Sequence, residues 1–224
     1  MTERGKFIVL EGIDGAGTTT LTKELMAKLK LDEVPVTITY EPTPSTVGML
    51  LRQYLRGKYP LMSWRAMALL FTADRYDHCT WIEDRLQEGV WVLCDRYRWS
   101  TYAYQTASAA AIECKGMEGQ ERRTSMARIL GWLEKINDDA LTPDMTVLLD
   151  IDPKVSLQRV DKGRHTSREV YEKEPFLKVV DEVYQRLVDM YTPSRDGALT
   201  TIDAGQSIEA VTDECWDEVK RVFL

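Results

Sequence analysis

Five short runs rich in Val, Ile and Leu alternate with long segments of helical pattern, and this alternation constrains the fold more than any other feature. The runs are mostly continuous in apolar residues, which is typical of parallel strands covered by helices on both faces. The sequence therefore predicts an α/β fold with a doubly wound, five-stranded parallel sheet flanked by helices. The predicted strands lie at 6–11, 34–41, 90–95, 145–151 and 199–204.

Helical patterns fill the segments between and after these strands. We find no internal repeat, low-complexity run or Pro/Gly/Ser-rich linker, so we expect residues 1–224 to form a single domain. Two irregular stretches, 113–120 and 161–169, are predicted to be surface loops, and the second is rich in positive charge. The predicted helices lie at about 18–30, 46–56, 63–88, 100–112, 121–138, 153–160, 169–191 and 207–223.

Charge and cysteine content narrow the function classes. The formal net charge is −7 with positive and negative residues interspersed, which disfavours nucleic acid as a partner. The four cysteines are widely spaced without a C-x-x-C pair, so we expect free thiols in a reducing compartment. The first apolar run is soon interrupted by Glu11 and is too short for a signal peptide or membrane span. We expect a soluble, cytoplasmic protein that binds no membrane.

The first predicted strand leads into a glycine-rich turn, Gly12-Ile-Asp-Gly-Ala-Gly17, and then into a helix. Such a turn directs successive backbone N–H groups and the positive end of a helix dipole into one concavity, where phosphate binds. Thr19 occupies the position whose hydroxyl binds Mg²⁺ in the general motif, but Thr18 stands where that motif has a lysine. The turn alone is also compatible with a strand-to-helix connection that binds nothing.

Two further segments carry candidate ligands. In "LCDRYRWSTYAYQ" (93–105), Asp95 and Arg96 follow a predicted strand and would lie beside the first turn, where an acid can hold Mg²⁺ and an arginine can bind phosphate. In "LLFTADRYDH" (69–78), Phe71 and Arg75 are four residues apart on one helical face, offering a ring to stack on a base and a guanidinium to bind it. Alone, Asp95 and Arg96 could equally be a surface ion pair at a strand end, and Phe71 and Arg75 would more readily be a core aromatic and a solvated arginine.

Together these segments resemble thymidylate kinase, a P-loop nucleoside-monophosphate kinase family, over nearly the whole chain. The matching motifs, in order, are "FIVLEGIDGAG", "EPT" followed by "LLR", "LLFTADR", "DRYRWSTYAYQ" and "GRHTSREVYEKEPFLKVVDEVYQRL". The resemblance implies Mg²⁺-assisted phosphorylation of dTMP to dTDP by ATP, for dTTP synthesis, in a homodimer. The apolar residues Met67, Leu70, Trp81 and Ile82 could lie in the core or form the dimer face.

The resemblance also implies roles for individual residues. Phe71 would stack on thymine and Arg75 would bind its edge, with further base-side contacts from Ser100, Thr101 and Gln105. Arg52 and Arg96 would bind the acceptor phosphate. Tyr104 would favour deoxyribose, Asp14 would lie near the 3′-hydroxyl, and Asp95 and Glu41 would lie near the phosphates and the metal, with Thr19 and Asp95 as metal ligands. The ATP-binding residues would be Gly12, Asp14, Gly15, Ala16, Gly17, Thr18, Thr19 and Thr20.

The resemblance also implies a lid at about 160–170, which could supply the positive charge that a lysine at position 18 would provide. In one subtype of the family the loop lacks an arginine after its aspartate and the lid supplies the catalytic cations, and Gly15 and Ala16 make this chain similar to that subtype. The resemblance thus implies catalytic roles for Asp14, Asp95 and Arg96 together with the lid residues Arg159, Arg164 and Arg168. Lys162 is a further candidate, whereas Lys23 should point away from the phosphates.

Loss of one preorganised donor typically costs roughly 10²–10³ in rate, which impairs phosphoryl transfer without abolishing it. We therefore expect an active kinase. Two alternatives stay open: a catalytically weak or silent protein that binds nucleotide, and a kinase of dUMP or another pyrimidine monophosphate.

Overall fold

The computed structural model describes residues 3–60, 62–163, 171 and 173–224, in which strands and helices alternate along the chain. The strands are β1 (Phe7–Gly12), β2 (Val36–Tyr40), β3 (Trp91–Asp95), β4 (Met145–Asp150) and β5 (Ala198–Asp203). The helices are α1 (Thr18–Leu31), α2 (Thr46–Leu55), α3 (Trp64–Gln87), α4 (Arg98–Glu113), α5 (Gly119–Ile136), α6 (Pro153–Gly163), α7 (Glu174–Asp189), α8 (Pro193–Asp196) and α9 (Ile208–Phe223).

All five strands are parallel and form one sheet in the order β2-β3-β1-β4-β5. The chain leaves β1 toward β2 on one side of the sheet, and after β3 it crosses over β1 to β4 on the other side. The strand order therefore reverses at β1, and Leu10 of β1 is paired with Asp95 of β3. Open α/β sheets bind ligands beyond the carboxyl ends of their strands at such a point.

Successive β1 side chains point to opposite faces of the sheet, and helices cover these side chains on both faces. Phe7 and Val9 lie in a buried cluster with residues of α3, whereas Ile8 and Leu10 share the main core with residues of α1. Every residue of β1 is buried, as continuous apolar runs predict.

The structure confirms the predicted five-stranded α/β fold, and each strand lies within two residues of its predicted bounds. Four local predictions were wrong. The loop at 113–120 is shorter than predicted because α4 and α5 extend into it, and α6 continues beyond 160 to Gly163. Helix α8 was not predicted because four residues carry no helical periodicity. The helix predicted at 169–191 is shorter, because Lys173 has an extended backbone and precedes the first turn of α7, which ends at Asp189. Much of the predicted lid, 164–170, lies outside the described residues, as does 172.

None of the described helices is long and apolar enough to cross a membrane. The four cysteines, Cys79, Cys94, Cys114 and Cys215, are all free thiols, as their spacing predicts.

Helix α2 packs closely on the segment that follows β2. The Ser45 hydroxyl accepts a hydrogen bond from the Gly48 backbone N–H at 3.0 Å and caps the helix. A Cβ atom on Gly48 would lie 2.1 Å from the Thr43 carbonyl oxygen, so only glycine permits this contact. The Thr43 hydroxyl and N–H are in turn bound by the buried carboxylate of Asp74, at 2.6 and 2.8 Å.

We predict opposite effects of two Gly→Ala substitutions in helices. Gly48→Ala should lower the free energy of unfolding by about 1–3 kcal/mol, because α2 must move away from Thr43. Gly131→Ala, in α5 where an added Cβ meets nothing within 4 Å, should raise it by up to about 1 kcal/mol through helix propensity alone. Urea unfolding of both variants measures the two effects, and equal shifts of the same sign would contradict the close contact.

Candidate active site

The predicted site residues converge on one cleft of about 750 Å³ at the carboxyl ends of the strands. Gly12 does not line the cleft directly, and Arg164 and Arg168 lie outside the described residues. The predicted residues that line it are Asp14, Gly15, Ala16, Gly17, Thr18, Thr19, Thr20, Glu41, Arg52, Phe71, Arg75, Asp95, Arg96, Ser100, Thr101, Tyr104, Gln105 and Arg159.

The glycine-rich turn forms a nest of backbone donors. Gly17 caps α1 in a left-handed conformation with φ of 104°, and the first helical hydrogen bond runs from the Leu21 N–H to the Gly17 carbonyl. The N–H groups of Thr18, Thr19 and Thr20 precede that bond and are not used within the helix. They are available to an anion at the positive end of the helix dipole.

This loop is braced from outside by side chains of other elements. The Asp14 N–H donates to the Tyr104 hydroxyl at 3.0 Å, and the Asp14 carbonyl accepts from the Ser156 hydroxyl. The Gly12 carbonyl accepts from Arg96 Nη1 at 2.9 Å. Gly15 has φ of 85°, and a Cβ there would lie 2.5 Å from the Ser156 carbonyl oxygen. The loop is therefore fixed without a lysine at position 18.

Thr19 and Asp95 form the predicted metal-binding pair. The Thr19 hydroxyl donates to Asp95 Oδ2, whereas the buried Asp95 Oδ1 has no hydrogen-bond partner in the described part of the chain. An unpaired carboxylate oxygen beside a hydroxyl, next to the phosphate nest, fits Mg²⁺, which takes oxygen ligands and usually few of them from protein.

Arg96 turns back toward the loop from the end of β3. Its φ of 70° is unusual for a residue other than glycine, and its Nη2 donates to Asp14 Oδ1 at 2.7 Å. Arg52 faces it from α2, stacked over the Tyr40 ring at 4.8 Å and donating to the Pro42 carbonyl. Two arginines thus line the same part of the cleft. Arg56, which sequence reasoning missed, lines the cleft at the end of α2.

The side chain of Arg75 is buried, with only 1% of the residue's surface exposed, and hydrogen bonds hold it in place. Its guanidinium donates to Glu41 Oε2 at 2.6 Å, Asn137 Oδ1 at 2.6 Å and the Thr101 hydroxyl at 2.9 Å. Its buried Nε has no hydrogen-bond partner within the described residues. The other oxygen of Glu41 lies 3.1 Å from His78 Nδ1. A buried charge held in this way keeps a fixed direction.

Sequence reasoning missed Asn137 and His78, which fix this network. Asn137 donates its amide N–H to the Leu133 carbonyl at 2.8 Å, which directs its oxygen toward Arg75. The other ring nitrogen of His78 lies 2.7 Å from the Thr39 hydroxyl. His78 ends the segment 69–78 without a predicted role, Asn137 stands in no recognisable motif, and the contact between Arg75 and Asn137 spans 62 residues.

Gln105 lies beside this network, and the hydrogen-bonding groups of its side-chain amide are unsatisfied by the residues described. The residue is 0% exposed, and neither its amide nitrogen nor its amide oxygen has a hydrogen-bond partner among the residues described. A buried amide without partners is costly, so a polar group of a ligand is the natural partner. Phe71, half-buried on α3, offers its ring to the same cleft.

Tyr104 is packed in an aromatic cluster with Tyr171 and Phe176, with ring centroids 5.9 and 6.2 Å away. Its hydroxyl accepts from the loop N–H of Asp14, so the ring is fixed at the junction between the loop and α4. Ser100 and Thr101, predicted to contact a base, are engaged within the protein: Ser100 with Glu11 and Arg96, and Thr101 with Arg75.

Glu11 is a second acid that sequence reasoning did not assign to the site. It is 0% exposed and accepts four hydrogen bonds, from the Tyr97 N–H, the Ser100 N–H and hydroxyl, and the Tyr184 hydroxyl. The two N–H groups belong to the start of α4, whose dipole favours an acid there. Burial raises the pKa of the Glu11 carboxyl, and the Ser100 hydroxyl and Arg96 oppose this rise. A glutamate in the apolar run "FIVLEG" was the available signal.

Of the candidate cations, Arg159 lines the cleft from α6. No ion-pair partner for it lies within the described residues. Lys162 is exposed at the end of the same helix and does not line the cleft, and Lys23 is exposed on α1. At the far end of the cleft, beyond the loop, lie Ala204, Gln206 and Ile208.

These features define a class of protein. A glycine-rich loop between a buried strand and a helix, with an acid at the end of the adjacent parallel strand, is the arrangement of P-loop nucleotide-binding proteins.

Comparison with known proteins then gives the family. The family profile described as thymidylate kinase matches residues 10–118 and 125–215. The probable thymidylate kinase of Methanocaldococcus jannaschii is 38% identical over 185 residues, which are 83% of this chain and 82% of that protein. The thymidylate kinase of Plasmodium falciparum is 30% identical over 221 residues, 98% of this chain and 92% of that protein.

A solved structure agrees with these sequence matches. Thymidylate kinase from Candida albicans, described as having broad substrate specificity, is 26% identical and superposes with a TM-score of 0.77, covering 97% of this chain and 92% of that one. This chain belongs to the thymidylate kinase family, and it is a nucleotide-binding kinase of the transferase class.

We predict that Glu11→Gln makes stability less dependent on pH. Because burial raises the pKa of Glu11 above its ordinary value of 4.5, the folded chain holds this proton more tightly than the unfolded chain. The contribution to stability is fully present below pH 4.5 and is lost as pH rises through the higher folded pKa. The free energy of unfolding of the variant minus that of the wild type should therefore increase with pH over this interval. Urea unfolding at a series of pH values tests this, and a difference independent of pH would contradict it.

Proposed function

We propose that this chain transfers the γ-phosphate of ATP to dTMP, giving dTDP and ADP. The observation that carries the proposal is a single cleft that joins a braced anion nest, built on Thr18, Thr19 and Thr20, to a buried polar pocket formed by Arg75 and Gln105. The first part suits a nucleoside triphosphate, and the second suits a base with hydrogen-bonding edges. Membership of the thymidylate kinase family supports the same pair of substrates.

Recognition of the base rests on the fixed direction of Arg75. A guanidinium only donates hydrogen bonds, so it favours a carbonyl at the 4-position, as in thymine, over the amine of cytosine. The Gln105 amide can donate to and accept from the base edge, satisfying both of its unpaired atoms. The Phe71 ring stacks on the face of the base.

Selection of the sugar rests on Tyr104. Its ring is fixed by the aromatic cluster and by the Asp14 N–H, so it cannot turn away from an added 2′-hydroxyl. A ribonucleotide would place that hydroxyl against a buried ring, where it would clash or remain unpaired. Asp14 is the carboxylate proposed to lie near the 3′-hydroxyl.

Arg52 and Arg96 hold the acceptor phosphate for in-line attack on the γ-phosphorus. The acceptor oxygen is already ionised, so no strong general base is required. The protein contributes chiefly position and charge, as is usual in phosphoryl transfer. The β-phosphate lies in the nest of N–H groups.

Thr19 and Asp95 would hold Mg²⁺, as the unpaired Asp95 Oδ1 supports. The ion would neutralise charge on the phosphates when bound. Glu41 is proposed to act nearby through Arg75, which it binds directly.

Arg159 supplies positive charge that a loop lysine would otherwise provide. Thr18 lines the cleft and is 5% exposed, and it brings a hydroxyl without charge. Arg159 lines the same cleft from α6, and an arginine that reaches the transferred group can contribute about 10³–10⁵ in rate. The chain accordingly fits the subtype in which lid arginines replace loop cations. Arg164 and Arg168, outside the described residues, are proposed to act with it when the lid closes and excludes water.

We also propose that the enzyme is a homodimer. Large apolar side chains are exposed on and beside α3, including Leu69, Trp81 and Met49, whereas Met67 and Ile82 lie in the core. Such a face suits a two-fold interface. A monomer mass in sedimentation equilibrium at assay concentrations would refute this.

The acceptor preference tests the proposed function. We predict ADP formation from ATP·Mg²⁺ with dTMP, with kcat/KM at least about 100-fold lower for dCMP, because Arg75 cannot accept from its amine. UMP should be similarly disfavoured relative to dUMP by Tyr104. A coupled ADP assay with dTMP, dUMP, dCMP, UMP and no acceptor measures each rate.

Two outcomes of this assay would contradict the proposal. Nucleotide binding without turnover of any acceptor would identify a silent binding protein. Turnover of another monophosphate in preference to dTMP would keep the chemistry and change the substrate.

A further inference from the structure

Glu11, a residue of β1, is completely buried at the start of α4, and it belongs to neither of the proposed nucleotide-binding regions. It does not line the cleft, and all four groups that donate hydrogen bonds to it belong to the protein. Its partners lie directly around Arg96, one of the two arginines proposed to bind the acceptor phosphate. This inference therefore rests on the proposed function.

The backbone on either side of Arg96 is held by the last residues of β1. The Arg96 N–H donates to the Leu10 carbonyl at 2.9 Å, and the next N–H, of Tyr97, donates to Glu11 Oε1 at 2.9 Å. Between these two bonds Arg96 adopts its left-handed conformation, which is unfavourable for a residue other than glycine. Glu11 thus fixes the turn from which the arginine side chain projects.

The arginine side chain is connected to Glu11 as well. The Ser100 hydroxyl donates its hydrogen to Glu11 Oε2 at 2.5 Å, and its oxygen accepts from Arg96 Nη1 at 3.2 Å. Because a hydroxyl has one hydrogen, its donation to Glu11 leaves lone pairs facing the guanidinium. The carboxylate therefore sets the direction of the hydrogen bond that Ser100 presents to Arg96.

A glutamine at this position could not reproduce the arrangement. Its oxygen could accept from the two backbone N–H groups, but its amide nitrogen would donate to Ser100 and would turn the serine hydrogen toward Arg96. The negative charge near the guanidinium would also be lost. Burying a neutral amide costs less than burying a carboxylate, so the carboxylate is a poor choice for stability alone.

We propose that Glu11 is a positioning residue for phosphate binding, acting through Ser100 and the Arg96 turn to aim the Arg96 guanidinium at the acceptor phosphate. The ATP side of the cleft depends less on this chain of contacts, because the Tyr104 and Ser156 bonds to Asp14 do not involve Arg96 and the Arg96 bond to the Gly12 carbonyl is one brace among three. Substitution of Glu11 should therefore weaken the binding of dTMP more than that of ATP.

The experiment is steady-state kinetics of the full chain, with four proteins in a cycle: wild type, Glu11→Gln, Arg96→Ala and the double variant. Glu11→Gln should raise the KM for dTMP roughly tenfold, the loss expected when a charge-assisted hydrogen bond is disturbed, and should leave the KM for ATP within about twofold. In the Arg96→Ala background the same substitution should change the KM for dTMP by less than about twofold, since it acts through the missing side chain.

A matched control is Glu24→Gln, which makes the same change on the exposed face of α1 and should alter neither KM. Thermal unfolding of each variant separates a positioning role from a folding defect. Three outcomes would each overturn the inference: an unchanged KM for dTMP in Glu11→Gln, equal rises in both KM values, or an undiminished effect in the Arg96→Ala background. Wild-type turnover of dTMP would still support the proposed function in each case. A wild type that does not use dTMP would overturn both.

Discussion

The active-site loop depends on the two hydrogen bonds that hold Asp14 by its backbone, one from its N–H to Tyr104 and one to its carbonyl from Ser156. Together with the Arg96 bond to the Gly12 carbonyl, they fix a glycine-rich turn that would otherwise have many conformations. A nest of N–H groups binds an anion well when its geometry is set before the anion arrives. These braces come from α4, α6 and the residue that follows β3, so none of them depends on the side chain at position 18. A threonine at position 18 therefore leaves the proposed phosphate-binding loop in place while bringing no charge to it.

The same braces connect the two halves of the cleft. Helix α4 carries Tyr104, which accepts a hydrogen bond from the loop, and also Thr101 and Gln105, which belong to the proposed base pocket. Because these three residues lie on one helix, α4 sets the distance between the loop and this pocket. Glu11 anchors the start of that helix to the strand that leads into the loop. The loop and the pocket at Arg75 and Gln105 are thereby parts of one packed unit, and the fold sets their relative positions.

The sequence predicted those parts of the site in which a local pattern carries the chemistry. Continuous apolar runs gave the strands, the glycine spacing gave the loop, and an acid after a strand placed Asp95 beside Thr19. Side chains that act only through distant partners were beyond it. Asn137 reaches Arg75 from the end of α5, which carries no motif. His78 contacts Glu41 only because α3 packs beside the end of β2. Ser100 was predicted to contact the base, and its engagement by Glu11 could not be seen without the position of α4.

We propose that a cation outside the loop, Arg159, supplies the positive charge that the absent lysine would provide. The most direct test is the rate of ADP formation from ATP·Mg²⁺ and dTMP by the Arg159→Ala variant. We expect kcat to fall at least about 100-fold, to be unaffected by Lys154→Ala on the exposed side of the same helix, and to recover in part when Thr18→Lys is added to Arg159→Ala. An Arg159→Ala enzyme with wild-type kcat would contradict the claim, as would a wild-type chain that is inactive until Thr18→Lys is introduced.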